Sequence, residues 1–228
     1  MGVLASTMLL VSKDVRVELR AKELIYATIF FGAVVLLVFA FSFLGGERPP
    51  VDAVAGILWV TITLSGTVGV SRAFEREREG DTLRALLLSP APRTAIYLSK
   101  LVSVTLLMVL VETTATLLLS LLFQVTLPHV GMLVGLLGLG TIGFASVSAL
   151  FGASLGRARS RDVLLPLLTY PVVMPILIAG TRGTVGLWHG DAEGLVAAAY
   201  WLRFLLVFDA IFVSLGLWIF EPMMRSDG

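Results

Sequence analysis

The stretch RAFEREREGDTLRALLLSPAP, Arg72–Pro92, lies between two long apolar runs and decides how the rest of the chain is arranged. Eight charged side chains, four basic and four acidic, fall within the thirteen positions from Arg72 to Arg84. Such a block is excluded from hydrocarbon, because one Arg or Asp at the centre of a membrane helix costs about 2.5–3.5 kcal/mol on insertion scales. The sequence therefore predicts a loop over residues 72–100, on the aqueous side of a membrane and with helical content.

Opposite charges in this loop have the spacing of neighbours on a helix surface. The i,i+3 pairs are Arg72/Glu75, Glu75/Arg78 and Arg76/Glu79. Gly80 is suited to end that helix, and Asp81 is suited to cap a second short one that runs towards Pro90 and Pro92. A rigid helix, a turn and an apolar segment suit transmission of force to a partner protein. From the residues alone, a solvated connector that only joins two spans is an equal alternative.

The composition of the whole chain is that of a membrane protein. Of 228 residues, 57% are hydrophobic and 14% charged, and the mean hydropathy is +0.94. Soluble domains carry about 25% charged residues. The net charge of +1 gives no sign of nucleic-acid binding, and the absence of cysteine excludes disulfides and thiolate metal sites.

Six apolar segments are long enough to cross a bilayer. The predicted spans are residues 24–44, 53–71, 101–123, 131–155, 163–181 and 201–220, with a loop over 182–200. The first is uncharged over 21 residues, about 31 Å of helix, which matches the hydrocarbon thickness of about 30 Å. The predicted fold class is an all-α integral membrane protein, with residues 24–228 forming one six-helix transmembrane domain.

The distribution of basic residues predicts the orientation of these spans. Six spans place both termini and the loops at 72–100 and 156–162 on one side, which then carries 14 of the 17 Lys and Arg residues. Basic residues concentrate in cytoplasmic loops. Both termini and the charged stretch are therefore expected in the cytoplasm.

Residues 1–23 are predicted to form an amphipathic helix in the membrane surface. Apolar side chains recur at helical spacing, at Leu4, Met8, Val11, Val15 and Leu19. Basic side chains fall off this stripe and are expected at the lipid headgroups: Lys13, Arg16, Arg20 and Lys22. The alternative is a frayed soluble tail.

Small residues and prolines indicate how the later spans pack. Gly131/Gly135 and Gly152/Gly156 form small-xxx-small pairs at the two ends of the fourth span. Such pairs let helix backbones approach closely, either within the chain or between subunits. Pro166, Pro171 and Pro175 predict that the fifth span is either a kinked packing helix or a broken helix beside a transport pathway.

Two acidic residues within the spans are candidates for function. Glu112 and Asp209 lie at membrane depth, where an ionisable side chain is costly and is a functional hypothesis by default. A purely structural hydrogen-bonded role is the alternative for each. His129 and His189, on the opposite side from the termini, have no ligand spacing that indicates a metal site, and Trp188 and Trp201 suit the aromatic belt.

Two catalytic motifs are absent from the sequence. There is no HExxH, and none of the three lysines follows a glycine, so the chain has no GxxxxGK[ST] phosphate loop. GASLG (152–156) fits the pattern GxSxG, but it ends an apolar predicted span, whereas that motif needs a turn from a strand to a helix. An intramembrane enzyme is thus disfavoured and no catalytic residue is predicted. If ATP drives this protein, a separate chain must bind the nucleotide.

Several segments together resemble one known family. They are KDVRVELRAKE (13–23), GILWVTITLSGTVGVSRAF (56–74), EREREGDTLRALLLSPAPRTAIYLSK (75–100) and RSRDVLLPLLTYPVVMP (159–175). This pattern resembles the heme exporter protein B (CcmB) family, the permease family of cytochrome c maturation. The likeness covers essentially the whole chain, and EREREGDTLRALLLSP is its most specific part.

The resemblance implies a six-span permease of the ABC-2 exporter type. It implies that the N-terminal helix is the elbow helix and that the loop after the second span carries the coupling helix that docks on an ATPase. Carried onto this sequence, the coupling residues are Glu75, Arg76, Glu77, Arg78, Glu79, Gly80, Asp81, Thr82 and Leu83.

The resemblance also implies partners and the handling of heme. The expected partners are a CcmA-like ATP-binding subunit, a CcmC-like heme-handling membrane protein, a CcmD-like single-span protein and a second copy of the permease. ATP binds the partner, heme is handled by the complex, and this chain is expected to bind no cofactor itself. The competing hypothesis is a stand-alone channel or proton-coupled carrier that uses Glu112 and Asp209.

Overall fold

The computed structural model describes residues 2–43, 46, 49–79, 92–155 and 161–225, without the side chains of residues 21, 74–79, 153, 161–163 and 221–225. Within these ranges the chain is helical. The helices are α1 Val3–Ala21, α2 Glu23–Ser42, α3 Val51–Glu79, α4 Arg93–Phe123, α5 Val130–Ser154, α6 Arg161–His189 and α7 Ala192–Arg225. The helices α2 to α7 each contain a segment long and apolar enough to cross a membrane, so the six predicted spans are confirmed as helices of that kind.

The N-terminal helix α1 ends in a sharp turn before the first span. Lys22 has a left-handed backbone (φ 56°) and donates its N–H to the Glu18 carbonyl at 2.8 Å, which ends α1. The next residue, Glu23, begins α2. Because this single residue separates the two helices, α1 runs in its own direction and packs mainly along α4, with only a small contact to α2.

The fifth and sixth spans are longer than predicted, and the predicted loop over 182–200 is wrong. The helix α6 continues to His189 and α7 begins at Ala192. Gly190 takes the left-handed conformation (φ 70°) that ends α6, and Asp191 caps α7 by accepting the Gly194 N–H at 2.7 Å. A helix stop and a helix start on adjacent residues replace the loop.

The three prolines of α6 lie inside one continuous helix. Pro166, Pro171 and Pro175 all fall within the helical segment Arg161–His189. A broken fifth span is therefore not observed. The middle of this helix is packed instead, with Val173 and Ile176 in the hydrophobic core that α6 shares with α3, α5 and α7.

The centre of the bundle is built around α3. Its apolar window is 72% buried, more than that of any other candidate span within the described residues. It packs against α2, α4 and α6, while α5 packs against α4, α6 and α7. By contrast, α2 presents Tyr26, Phe30 and Phe41 on an exposed face, as expected for a helix at the lipid boundary.

Candidate functional site

The second span continues as a helix into the charged stretch that the sequence singled out. The sequence turns from apolar to densely charged at Glu75, and α3 continues through the five residues Glu75–Glu79, about 7.5 Å at helical rise. The first half of the predicted coupling segment is thus a direct extension of the most buried span. The side chains of Glu75–Glu79 are not described, and Gly80–Leu83 lie outside the described residues, so the coupling residues remain a prediction.

Trp59 fixes α3 to the two helices beside it. Its ring is 2% exposed, and it lies against Gly140 of α5 and Gly180 of α6, where a side chain at either glycine would overlap ring atoms. The indole Nε1–H donates to Thr184 Oγ1 at 3.0 Å. Gly180 and Thr184 stand four residues apart and therefore share one face of α6.

The sequence carries one signal for this site, which is the position of Trp59 well inside the second span. Tryptophan in membrane helices is typical of the lipid interface, whereas Trp59 lies about 12 Å along α3 from its first residue, Val51. A tryptophan side chain at that depth fits between two helices only if each has a very small residue at the contact. Gly140 and Gly180 supply the space because neither has a side chain.

Glu112 is held in the bundle by a hydrogen bond between neighbouring helices. The residue is 6% exposed, and the Thr141 hydroxyl of α5 donates to its Oε2 atom in a short contact. Polar side chains that hydrogen-bond to a neighbouring helix link helices in a membrane. This contact agrees with a purely structural role for Glu112 and equally with a functional role.

Asp209 is buried without such a partner. It is also 6% exposed, and neither carboxylate oxygen has a hydrogen-bond partner among the described residues. Its Oδ1 atom lies over Gly143 of α5, 2.6 Å from where a Cβ of that residue would stand. Glu112 and Asp209 therefore contact α5 at positions 141 and 143, which point to opposite faces of the helix because two residues turn it by about 200°.

An ion pair that the sequence did not predict joins α1 to α4. Lys100 is 6% exposed, and its Nζ atom lies 2.9 Å from Oδ2 of Asp14. Lys13 reaches the other carboxylate oxygen at 2.9 Å. The predicted headgroup residues Arg16, Arg20 and Lys22 are exposed on the same helix.

Three of the five residues in the apolar stripe of α1 are exposed, whereas Val11 and Val15 are half-buried. Leu4, Met8 and Leu19 are 74%, 70% and 57% exposed, whereas the polar residues Ser6 and Thr7 are buried. This pattern reverses that of a helix in a soluble protein, where the apolar face is the buried one. It is the pattern expected of a helix that lies in lipid on one side and on protein on the other.

Only some of the glycines predicted to pack helices together lie against another helix of this chain. A Cβ at Gly135 would lie 3.0 Å from Leu202 of α7, which agrees with packing within the chain, whereas Gly131 has open space. Gly156 lies outside the described residues. Closer approaches than that of Gly135 occur elsewhere, among them those at Gly140, Gly143 and the Gly186–Gly194 pair.

The two histidines and Trp188 lie near helix ends, whereas Trp201 lies nine residues into α7. His189 Nε2 is 3.3 Å from Asp52 Oδ1, with both side chains more than half exposed. His129 precedes α5, where its carbonyl accepts the Met132 N–H. Trp188 donates to the Thr126 carbonyl at 2.8 Å, and Trp201 stacks edge-on with Tyr200 and Phe204. No group of three potential metal ligands occurs in the described part of the chain.

Comparison with known proteins agrees with this architecture. A family model described as CcmB protein matches residues 5–225, which is nearly the whole chain. A search of curated proteins finds no match. The matched region includes α1, all six candidate spans and the charged stretch between α3 and α4. The chain therefore belongs to the CcmB family, the heme exporter protein B family of cytochrome c maturation.

Proposed function

We propose that this chain is the permease subunit of an ABC-2 type exporter and transmits the ATP cycle of a separate subunit into the membrane. Membership of the CcmB family makes it a heme exporter component of cytochrome c maturation. The absence of a phosphate loop from the sequence supports assignment of ATP hydrolysis to a partner. In this proposal the chain is a transporter subunit and not an enzyme.

The observation that carries the proposal is the continuity of α3. One helix links the tightly packed interior at Trp59 to the charged segment that ends at Glu79. Side chains in a close-packed core cannot move independently of one another. A displacement at one end of a rigid helix is therefore transmitted to the helices packed against it. A protein that pushes on residues 75–83 would thus act on α5 and α6 through the Trp59 contacts.

The helix α1 supports the same arrangement. In the proposal it is the elbow helix, lying in the cytoplasmic surface of the inner membrane with Leu4 and Met8 in lipid. The Asp14–Lys100 ion pair attaches it to the start of α4, the helix that follows the coupling segment. The α4 flank of that segment is then tied to an element at the membrane surface.

The proposed partners follow the family. A CcmA-like ATPase engages residues 75–83. A CcmC-like protein and a CcmD-like protein associate with the chain in the membrane, and two copies of the permease form a dimer. ATP binds the ATPase, and the wider complex handles heme. The chain itself carries no cofactor in this proposal.

Charge reversal at the coupling segment tests the proposal. The triple variant Glu75→Lys, Glu77→Lys and Glu79→Lys is expected to abolish co-purification of the ATP-binding subunit while the permease stays in the membrane. The control reverses Asp52 and Glu193, two exposed acids at the other end of the bundle that cap no helix through their side chains in the described structure. Retention of the ATPase by the triple variant, or equal loss in the control, contradicts the coupling assignment.

Single-cysteine labelling tests the orientation separately. Because the sequence has no cysteine, one introduced thiol gives an unambiguous signal. A membrane-impermeant maleimide is expected to label Glu193→Cys in intact cells and to label Glu77→Cys only after the membrane is opened. The reverse pattern would place the coupling segment outside the cell.

A stand-alone carrier that uses Glu112 and Asp209 is the second candidate, because both acids are buried at membrane depth. It predicts flux in liposomes that contain this chain alone, and loss of that flux on Glu112→Gln. Their contacts on opposite faces of α5 favour two separate sites over one shared path.

A further inference from the structure

We infer that the groove between α1, α2 and α4 binds one zwitterionic phospholipid. The groove has a volume of about 410 Å³, within the roughly 300–1,000 Å³ of small-molecule sites. Its walls come from the second half of α1, the first turn of α2 and one face of α4, with Ala73 of α3 at its edge. This inference goes beyond the proposed function, since it concerns lipid and not the ATPase or heme.

The two ends of the groove differ in chemistry. Lys13, Asp14 and Lys100 form one ion-paired cluster in its lining, to which Glu18 also contributes. Leu107 and Leu110 line it farther along α4, and Leu24 lines it from the first turn of α2. A polar end beside an apolar channel matches a molecule with a headgroup and an acyl chain.

The length of the groove matches one leaflet of a bilayer. Along α4 it extends from Lys100 to Leu110, which is about 15 Å of helix. Half of a hydrocarbon core of about 30 Å is the same length. Leu106 and Leu110 are 49% and 41% exposed, so the groove opens sideways towards the lipid. A sideways opening in this layer is filled by hydrocarbon.

The charge at the polar end specifies the headgroup. Among the described residues, the ionisable side chains that line the groove are two lysines and two acids, so their formal charges cancel. A neutral lining offers no net attraction to an anionic lipid, whereas a zwitterionic headgroup presents a phosphate to Lys13 and an amine to the acids. The Lys13 ammonium has three donors, and the contact to Asp14 occupies one of them.

The location of the groove gives the lipid a structural role. It lies below the Lys22 turn, where α1 and α2 contact each other little. A bound phospholipid would fill this gap and hold α1 at a fixed height in the membrane surface. The lipid is thus inferred to be part of the attachment of α1, together with the Asp14–Lys100 pair.

Native mass spectrometry of the full-length chain in mild detergent tests the inference. Dioleoyl-phosphatidylethanolamine is expected to remain bound at one molecule per chain, in preference to phosphatidylglycerol with the same acyl chains. Lys13→Gln is expected to weaken binding about fivefold, because it removes one charge-assisted hydrogen bond at a partly exposed site. The control Arg16→Gln removes an exposed charge of the same helix outside the groove and is expected to leave binding unchanged.

A second pair of variants tests the acyl channel. Leu110→Trp fills the groove and is expected to eliminate the phospholipid adduct. Val109→Trp is its matched control, because Val109 is the adjacent residue, is equally exposed at 41% and does not line the groove. If Leu110→Trp fails to fold, as judged by circular dichroism, the Lys13→Gln and Arg16→Gln pair decides the question.

Several outcomes overturn the inference. They are equal lipid loss in the members of either pair, preferential retention of phosphatidylglycerol, displacement of the phospholipid by heme, and absence of any phospholipid adduct. Selective loss in Leu110→Trp and Lys13→Gln supports it. None of these outcomes bears on ATPase co-purification, so failure here is distinguishable from failure of the proposed function.

Discussion

The packing of Trp59 between two glycines makes a quantitative prediction. In Gly140→Ala the new Cβ would stand 2.5 Å from Cη2 and Cζ3 of the Trp59 ring. The ring cannot shift away freely, because Gly180 lies against it from α6 and its Nε1–H is bonded to Thr184. Overpacking of a close-packed interior costs about 1–3 kcal/mol, so we expect the free energy of unfolding to fall by about 2 kcal/mol.

The matched control is Gly138→Ala, two residues earlier on the same helix. A Cβ at Gly138 meets nothing within 4 Å. Alanine is favoured over glycine within a helix by about 0.5–1 kcal/mol, so this variant is expected to be neutral or slightly stabilised. The two alanine variants should therefore differ by about 2–3 kcal/mol, although they make the same chemical change.

A compensating substitution at Trp59 separates overpacking from other causes. Trp59→Phe removes the ring atoms that the Gly140 methyl would meet, and alone it should cost about 2–3 kcal/mol through the lost hydrogen bond and a small cavity. In the double variant the new methyl group occupies part of that cavity. The combined cost should then be smaller than the sum of the single costs by about 1–2 kcal/mol.

Reversible unfolding in mixed micelles measures these differences. The folded fraction of each variant is followed by near-ultraviolet circular dichroism as the mole fraction of sodium dodecyl sulfate rises. The reasoning is refuted if Gly140→Ala and Gly138→Ala unfold alike, or if the costs of Trp59→Phe and Gly140→Ala simply add. Either result would mean that the ring does not occupy the slot between α5 and α6.

Three further predictions concern the other contacts between helices. Asp14→Asn should lower the free energy of unfolding by about 1–3 kcal/mol and free α1 for proteolysis, because Lys100 is 6% exposed and would lose its counter-charge; unchanged protease resistance argues against this. Thr141→Val should cost about 1–2 kcal/mol by removing the hydrogen bond to Glu112, and in a Glu112→Ala background the same change should cost almost nothing. Gly186→Ala should cost about 3 kcal/mol, since the new methyl meets a backbone carbonyl of α7 that cannot rotate away; a thermal midpoint equal to that of the unchanged protein contradicts it.

The number and type of the helices could be predicted because they depend on properties local to the sequence. A run of apolar residues bounded by charged residues can be identified as a span without reference to any other helix, and the sequence contains six such runs. The loop predicted over 182–200 was wrong because the chain needs only two residues to pass from α6 to α7. Gly190 followed by Asp191 is the sequence signal of a helix end and a helix start, and it outweighs one Arg and one His near them.

The contacts between helices could not be predicted because they depend on how each helix is rotated against the next. Asp14 and Lys100 are 86 residues apart, and nothing in either local sequence specifies the other. Trp59 and Thr184 are 125 residues apart. For Glu112 and Asp209 the sequence indicated which residues matter, but not that one has a donor among the described residues and the other does not.

The close contact between α6 and α7 has a consequence for how the chain is made. A Cβ at Gly194 would stand 2.5 Å from the Gly186 carbonyl, and only Gly190 and Asp191 connect the two helices. Because the two backbones lie so close together, we expect that neither helix can pack correctly without the other. The pair should therefore leave the insertion machinery as a helical hairpin that has already formed. An epitope inserted after Gly190 should therefore halt biogenesis at four spans and send the unfinished protein to membrane proteases.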